Sequence, residues 1–142
     1  MNNEHPIYPV SLTLRIDWSE LDMFKHVNNV SYFKYIQASR VNYWEQVGLA
    51  DMHQQLSIAP ILLSTQCRFI KPLLYPGSLT IKASIEYLKN SSFGIKHQLF
   101  NANNELAAEA ADVVVLVDET TGNKVSIPDA IRTKVMQLEG LI

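Results

Sequence analysis

The sequence predicts one α+β domain in which a long helix lies against a curved antiparallel sheet of at least five strands. Three observations carry this. The apolar period switches from two residues to 3.6 and back to two along the chain. The loops between the later apolar stretches are short and rich in turn residues, which suits antiparallel pairing. At 142 residues the chain makes one domain, with a core that needs no disulfide or metal to hold it.

From Val10 to Trp18 the chain alternates strictly, with Val10, Leu12, Leu14, Ile16 and Trp18 on one face. That is the pattern of a half-buried strand. The polar stretch SELDMFKHVNN follows, and Val30 to Val47 then reads as an amphipathic helix. Tyr32, Phe33, Ile36, Tyr43, Trp44 and Val47 share one arc, with Ser31, Lys34 and Ala38 opposite. Asn28 or Asn29 is the expected N-cap and Gly48 the expected stop. After LADMHQQLS, which has room for a turn or two of helix, four strands are expected: Ile61 to Ile70, Leu79 to Tyr87, Phe93 to Phe100 and Ala107 to Val117. LLYPGS, NANNE and Thr121-Gly122-Asn123 supply the turns, and Pro128 opens a short helical segment. The expected organisation is a tail over 1–9, one domain over 10–135 and a tail over 136–142.

Composition removes several functions. The 12 basic and 14 acidic side chains give a net charge of −2, which argues against a nucleic-acid-binding face. No apolar run approaches a spanning helix, and the polar, proline-containing start reads as neither signal peptide nor anchor. A cytoplasmic protein is the expectation. Cys67 is the single cysteine and reads as a packed thiol, so internal disulfides and Cys-based metal centres are excluded. There is no glycine-rich phosphate loop and no GxSxG elbow. Charged residues make up only 18% of the chain against about 25% in ordinary soluble domains, and the sheet leaves a free edge. Both point to a second copy as partner.

Chemistry concentrates in WSELDMFKHVNNVSYFKYIQASR. Glu20, Asp22 and His26 stand directly before the longest helix, where free backbone N–H groups and the positive dipole end can polarise a carbonyl. A carboxylate beside them can attack that carbonyl or activate a water. The same residues also have plainer roles open: Asp22 as a turn former, Asn28 and Asn29 as caps, Lys25 as a solvated charge. Arg40 falls within the apolar arc, where it snorkels, pairs with a sheet carboxylate or reaches a partner.

The stretch WSELDMFKHVNNVSYFKYIQASRVNYW closely resembles the signature of the 4-hydroxybenzoyl-CoA thioesterase-like branch of the hotdog-fold acyl-CoA thioesterases. The match runs from about Val10 to Arg132, with IPDAIR resembling the closing segment. Asp22 takes the place of the catalytic aspartate, Glu20 an often acidic position, and His26, Asn28 and Asn29 the H-V-N-N form. Relatives usually carry Gly where this chain has Lys25; if that Gly takes φ > 0, Lys25 must tolerate it or the loop must differ.

The resemblance implies a hotdog fold of five or six strands and hydrolysis of an acyl-CoA thioester to free acid and CoA. Asp22 would be nucleophile or general base, with His26 in support and the amides near Val30 and Ser31 polarising the carbonyl. Asn28, Asn29, Tyr32 and Phe33 would contact substrate. By the order of elements, Lys25, Arg68, Lys71 and Lys89 are the candidates for the CoA phosphates. No metal and no cofactor is implied, since coenzyme A enters as part of the substrate. The active site would be shared in a homodimer, with a homotetramer of two dimers as the larger assembly. Two other readings stay open: a non-catalytic acyl-CoA or acyl-carrier binding protein, and a hotdog hydratase or dehydratase using the Asp22 and His26 pair.

Overall fold

The computed structural model describes residues 8–142, so most of the expected 1–9 tail lies outside the described residues. The elements run β1 (Val10–Arg15), a 3-10 turn (Trp18–Glu20), α1 (Asn29–Gln46), α2 (Leu49–Leu56), β2 (Ile58–Phe69), β3 (Ser78–Leu88), β4 (Ser92–Phe100), β5 (Leu106–Asp118) and α3 (Asp129–Leu138). The five strands form one antiparallel sheet in the order β1-β3-β4-β5-β2. Among the described residues no helix is long and apolar enough to cross a membrane.

Local chemistry explains where elements depart from their expected bounds. The first strand stops at Arg15, because Asp17 and Glu20 form a capping box around the turn that follows. Trp18, expected on the strand's apolar face, is therefore exposed. The second strand begins three residues early, at Ile58, and runs through Pro60. It is an edge strand, where a missing N–H is tolerated. The expected boundary at 136 falls inside α3, whose Val135 is buried. Beyond it, Glu139 accepts from the Tyr43 hydroxyl at 2.9 Å.

The helix α1 is capped by Asn28, whose Oδ1 accepts from the Ser31 amide at 2.8 Å. It ends at Gln46, two residues before Gly48, whose φ of 83° turns the chain into α2. Its buried face is Ser31, Tyr32, Tyr35, Ile36, Ser39, Arg40 and Tyr43. That face is rotated from the expected arc, leaving Phe33 and Val41 exposed. Around it are two apolar clusters. One gathers Tyr32, Tyr35 and Ile36 with Ile16, Val27, Leu79 and Leu99. The other gathers Tyr43 and Val47 with Ile95, Leu116, Ile131 and Val135.

Between the clusters sits a polar belt. Arg40 Nη1 donates to Asp112 Oδ2 at 3.0 Å, and His97 Nε2 lies 2.7 Å from the same oxygen. Ser39 Oγ is 2.9 Å from His97 Nδ1. All four residues are buried. Of the three options open for Arg40, the pairing with a sheet carboxylate is the one observed.

Burial would raise the Asp112 carboxyl, but the hydrogen bond and charge of His97, backed by Arg40, hold it below its ordinary value. A lowered folded value means that Asp112 contributes stability above the unfolded value of about 3.9, lost as pH falls through the folded one. The urea midpoint should therefore drop as the solution is taken from about pH 5 toward pH 2. At pH 7, Asp112→Asn should cost about 3–5 kcal/mol, because Arg40 is left buried and uncompensated. It should also flatten the acid limb, and an acid limb unchanged in the variant would refute the assignment.

Candidate active site

The site is built where the chain leaves the 3-10 turn and enters α1. Leu21 bridges Val27, the Asp22 amide donates to the His26 carbonyl at 2.7 Å, and the Lys25 amide to the Asp22 carbonyl at 3.1 Å. The result is a tight loop with Met23 and Phe24 exposed. Lys25 sits at φ 67°, so of the two alternatives the lysine tolerates a left-handed conformation that Gly adopts without steric cost. The segment between β2 and β3 stitches this loop down. His26 bridges Leu74, the Val27 amide donates to the Leu73 carbonyl at 3.0 Å, and the Tyr32 hydroxyl accepts from the Leu73 amide at 3.2 Å.

Asp22 is held by its own loop. Its Oδ1 accepts from the amides of Phe24 at 2.8 Å and His26 at 3.2 Å. One oxygen thus fixes the carboxylate, and the other, Oδ2, is left without a partner among the described residues. Asp22 lies in a cleft of about 390 Å³ with His26, Asn29, Tyr32, Phe69, Ile70 and Lys71, a volume in the range of small-ligand sites. Tyr32 and Phe69 meet edge to face at 4.9 Å across its floor.

The structure sorts the residues singled out from sequence. Asp22, His26, Asn29, Tyr32 and Lys71 come together in the cleft. Asn28 does not offer its side chain to a ligand: Nδ2 donates to the Glu20 carbonyl at 2.9 Å, and Oδ1 caps Ser31. The Ser31 amide is engaged by that cap, so it is not free for a carbonyl oxygen. The amides of Asn29 and Val30, earlier in the same turn, have no partner among the described residues and are its free donors, and of these two residues Asn29 lines the cleft. Phe33 lies outside the cleft, on the exposed flank of α1. Lys71 is tied to Glu105 at 2.5 Å and Arg68 to Glu109 at 3.2 Å. Lys89 is at the β3–β4 turn, the opposite end of the sheet from Phe69, and stacks on Tyr87 at 5.0 Å. Lys25 is exposed and carries no ion pair among the described residues.

Cys67 is half-buried on β2, and burial pushes its thiol up to about 11, so it stays protonated and unreactive at neutral pH. Among the described residues no three His, Cys, Asp or Glu side chains are grouped to hold a metal ion. On the far wall of the cleft, Phe69 to Pro72, sequence reasoning named Lys71 but missed Ile70 and Pro72. The only sequence signal there is Pro72 closing an apolar strand.

The sheet, the long helix and the Asp22 loop together match a known family profile, that of the thioesterase-like superfamily, over residues 16–135. The chain belongs to that superfamily. Its five-stranded sheet wrapped on one long helix is the hotdog fold. A curated relative is the long-chain acyl-CoA thioesterase FadM of Escherichia coli, 24% identical over 130 residues, covering 88% of this chain and 96% of the relative. The uncharacterised protein YsmA of Bacillus subtilis is 27% identical over 114 residues, covering 80% and 76%. Among solved structures, a thioesterase of Thermus thermophilus complexed with coenzyme A and Zn superposes with a TM-score of 0.82. It is 23% identical, with 94% of this chain and 96% of that one covered.

Within this thioesterase-like chain, Lys25 is the local conflict between residue type and backbone. Lys25→Gly removes the Cβ from a left-handed position and should stabilise the fold by ~1 kcal/mol. Thermal denaturation should show a rise of about 3 °C, with no rise for Lys25→Ala. Equal midpoints for parent and the glycine variant would mean the loop carries no strain.

Proposed function

We propose that this protein hydrolyses an acyl-CoA thioester to free acid and CoA, with Asp22 as nucleophile or general base. The observation that carries this reading is the Asp22 carboxylate itself. One oxygen is fixed by two loop amides and the other is unpartnered, in a cleft opening at the N-terminus of the longest helix. A thioester is an activated acyl group whose thiolate leaves readily, so a positioned carboxylate and a carbonyl-polarising donor suffice. The free Val30 amide is the donor we assign, in place of Ser31. His26 supports from the same cleft, and Asn29 and Tyr32 contact the acyl or pantetheine portion. The named activity of FadM and the coenzyme A in the Thermus structure agree with this substrate class.

For the CoA phosphates Lys25 is the ready cation, and Lys71 contributes by exchanging Glu105 for phosphate. Lys89 cannot join the same cleft within one chain. The setting we propose is cytoplasmic, consistent with one unpaired thiol.

We further propose that the working unit is at least a homodimer, with a tetramer of two dimers as its extension. Asp22 and His26 are exposed in the single chain, and β2 presents an unpaired edge on which Ile61, Leu63 and Phe69 are exposed. A second copy on that edge would satisfy the strand and exclude water from the cleft.

Two measurements test these readings. Short-chain, long-chain and aromatic acyl-CoAs are incubated with protein while thiol release is followed. Asp22→Asn should lower kcat by at least ~10²-fold with folding unchanged, and His26→Ala should cost less. Binding without thiol release would favour a binding protein, and an enoyl or 3-hydroxyacyl product without thiol a hydratase. For assembly, sedimentation equilibrium should return a multiple of 16.1 kDa, and Leu63→Lys should shift it toward monomer. A parent that sediments as a monomer at micromolar concentration refutes the shared site.

A further inference from the structure

Glu20 stands two residues before Asp22, is buried where Asp22 is exposed, and has no part in the chemistry proposed above. Its carboxylate is nevertheless fully engaged. Oε1 accepts from the Asp17 amide at 2.7 Å and from the Tyr35 hydroxyl at 2.8 Å, and Oε2 pairs with Lys34 Nζ at 2.8 Å. Its carbonyl accepts from both the amide of Asn28, at 2.8 Å, and the Nδ2 of Asn28, at 2.9 Å. Burial would raise the Glu20 carboxyl, but Lys34, the Asp17 amide and Tyr35 outweigh it and keep the group ionised.

These bonds fall at the two ends of the Asp22 loop. At the entrance, the Glu20 side chain is pinned to Lys34 and Tyr35 in the second turn of α1. At the exit, Asn28 is bonded to Glu20 and caps the first turn of the same helix. The residues between them carry Asp22 and can move only as far as these two anchors allow. We infer that Glu20 is a positioning residue: it clamps the Asp22 loop to α1 and so sets Asp22 against the free amides of the first turn. The inference rests on the thioesterase reading for its kinetic consequence and on geometry alone for its structural one. The helix keeps its cap and its apolar face without Glu20, so the clamp serves the aim of Asp22 more than the existence of α1.

The test compares Glu20→Ala, which removes every side-chain bond, with Glu20→Gln, which keeps an acceptor for Asp17 and Tyr35 and loses only the Lys34 pair. Thiol release gives kcat and KM, and hydrogen exchange reports on the amides of Phe24 and His26, the two that hold Asp22. Glu20→Ala should lower kcat by ~10²-fold with KM within about threefold, as a misplaced but intact catalytic group does. Exchange should quicken at Phe24 and His26 while the interior of α1 stays protected. Glu20→Gln should recover most of both. Parent-like kcat in Glu20→Ala, or exchange that quickens along all of α1, overturns the positioning role. Should Glu20→Ala fail to fold, Tyr35→Phe removes one bond to the carboxylate and should show a smaller loss of kcat with the same local exchange, and its absence overturns the role. If the parent releases no thiol from any acyl-CoA, the thioesterase reading falls. The exchange comparison then decides the clamp alone: quickened at Phe24 and His26 it stands, unchanged it falls.

Discussion

The buried contact of Arg40 with Asp112 and His97 is the constraint on which the remaining geometry depends. Apolar packing on either side of it is not directional: Tyr32 and Ile36 at one end, Tyr43 and Val47 at the other, would accept small slides of α1 along the sheet. The charged contact would not. A slide by one turn would strand a guanidinium and a carboxylate in an apolar interior, at a cost of several kcal/mol. Fixing Arg40 on Asp112 therefore fixes where Asn28 and the first turn stand, twelve residues away and about 18 Å along the helix axis. The aim of Asp22 begins in the middle of α1.

The site itself divides holding from acting. Asn28, Glu20, Leu73 and the hydroxyl of Tyr32 are consumed in hydrogen bonds that join three separate stretches of chain. Asp22 Oδ2 and the amides of Asn29 and Val30 are left over among the described residues. On the reading proposed above, this division suits a reactive carboxylate: the groups that hold its loop are hydrogen-bonded, while its own second oxygen stays unmatched among the described residues. It also explains why two adjacent asparagines have different roles, Asn28 turned to the scaffold and Asn29 lining the cleft.

Periodicity made the architecture legible. The alternation of Leu79 to Tyr87 and the 3.6-residue pattern of Val30 to Val47 each placed an element within a residue or two, because both signals lie within one segment. The errors came from competing local chemistry. Alternation through Trp18 concealed the Asp17–Glu20 capping box, whose three-residue spacing is visible in the sequence. The rotation of α1 followed from Arg40 and Ser39, polar residues turned inward because Asp112 and His97 wait there. Nothing in the spacing of positions 40, 97 and 112 announces that they meet. The same holds for the cleft wall at Phe69 to Pro72, brought to Asp22 only by strand order, and for Lys89, which strand order carries away. The Asp22 loop was legible because its residues are contiguous.

The free edge of β2 has a built-in limit. Pro60 faces Leu116, whose own amide donates to Ser91 and whose carbonyl accepts from Val125. The pair exchanges no ladder bonds, so the side of Pro60 that would carry an N–H points away from the sheet. There the edge lacks a donor, and the register shifts between Leu62 and Ser64 immediately after. An incoming strand thus meets regular backbone only from Ser64 to Phe69. Six residues are enough to seat one partner in one register, and too few, between a bulge on one side and Pro72 on the other, to template open-ended growth. The proline that looks misplaced inside a strand thus leaves the outward side of this edge without a donor at its start.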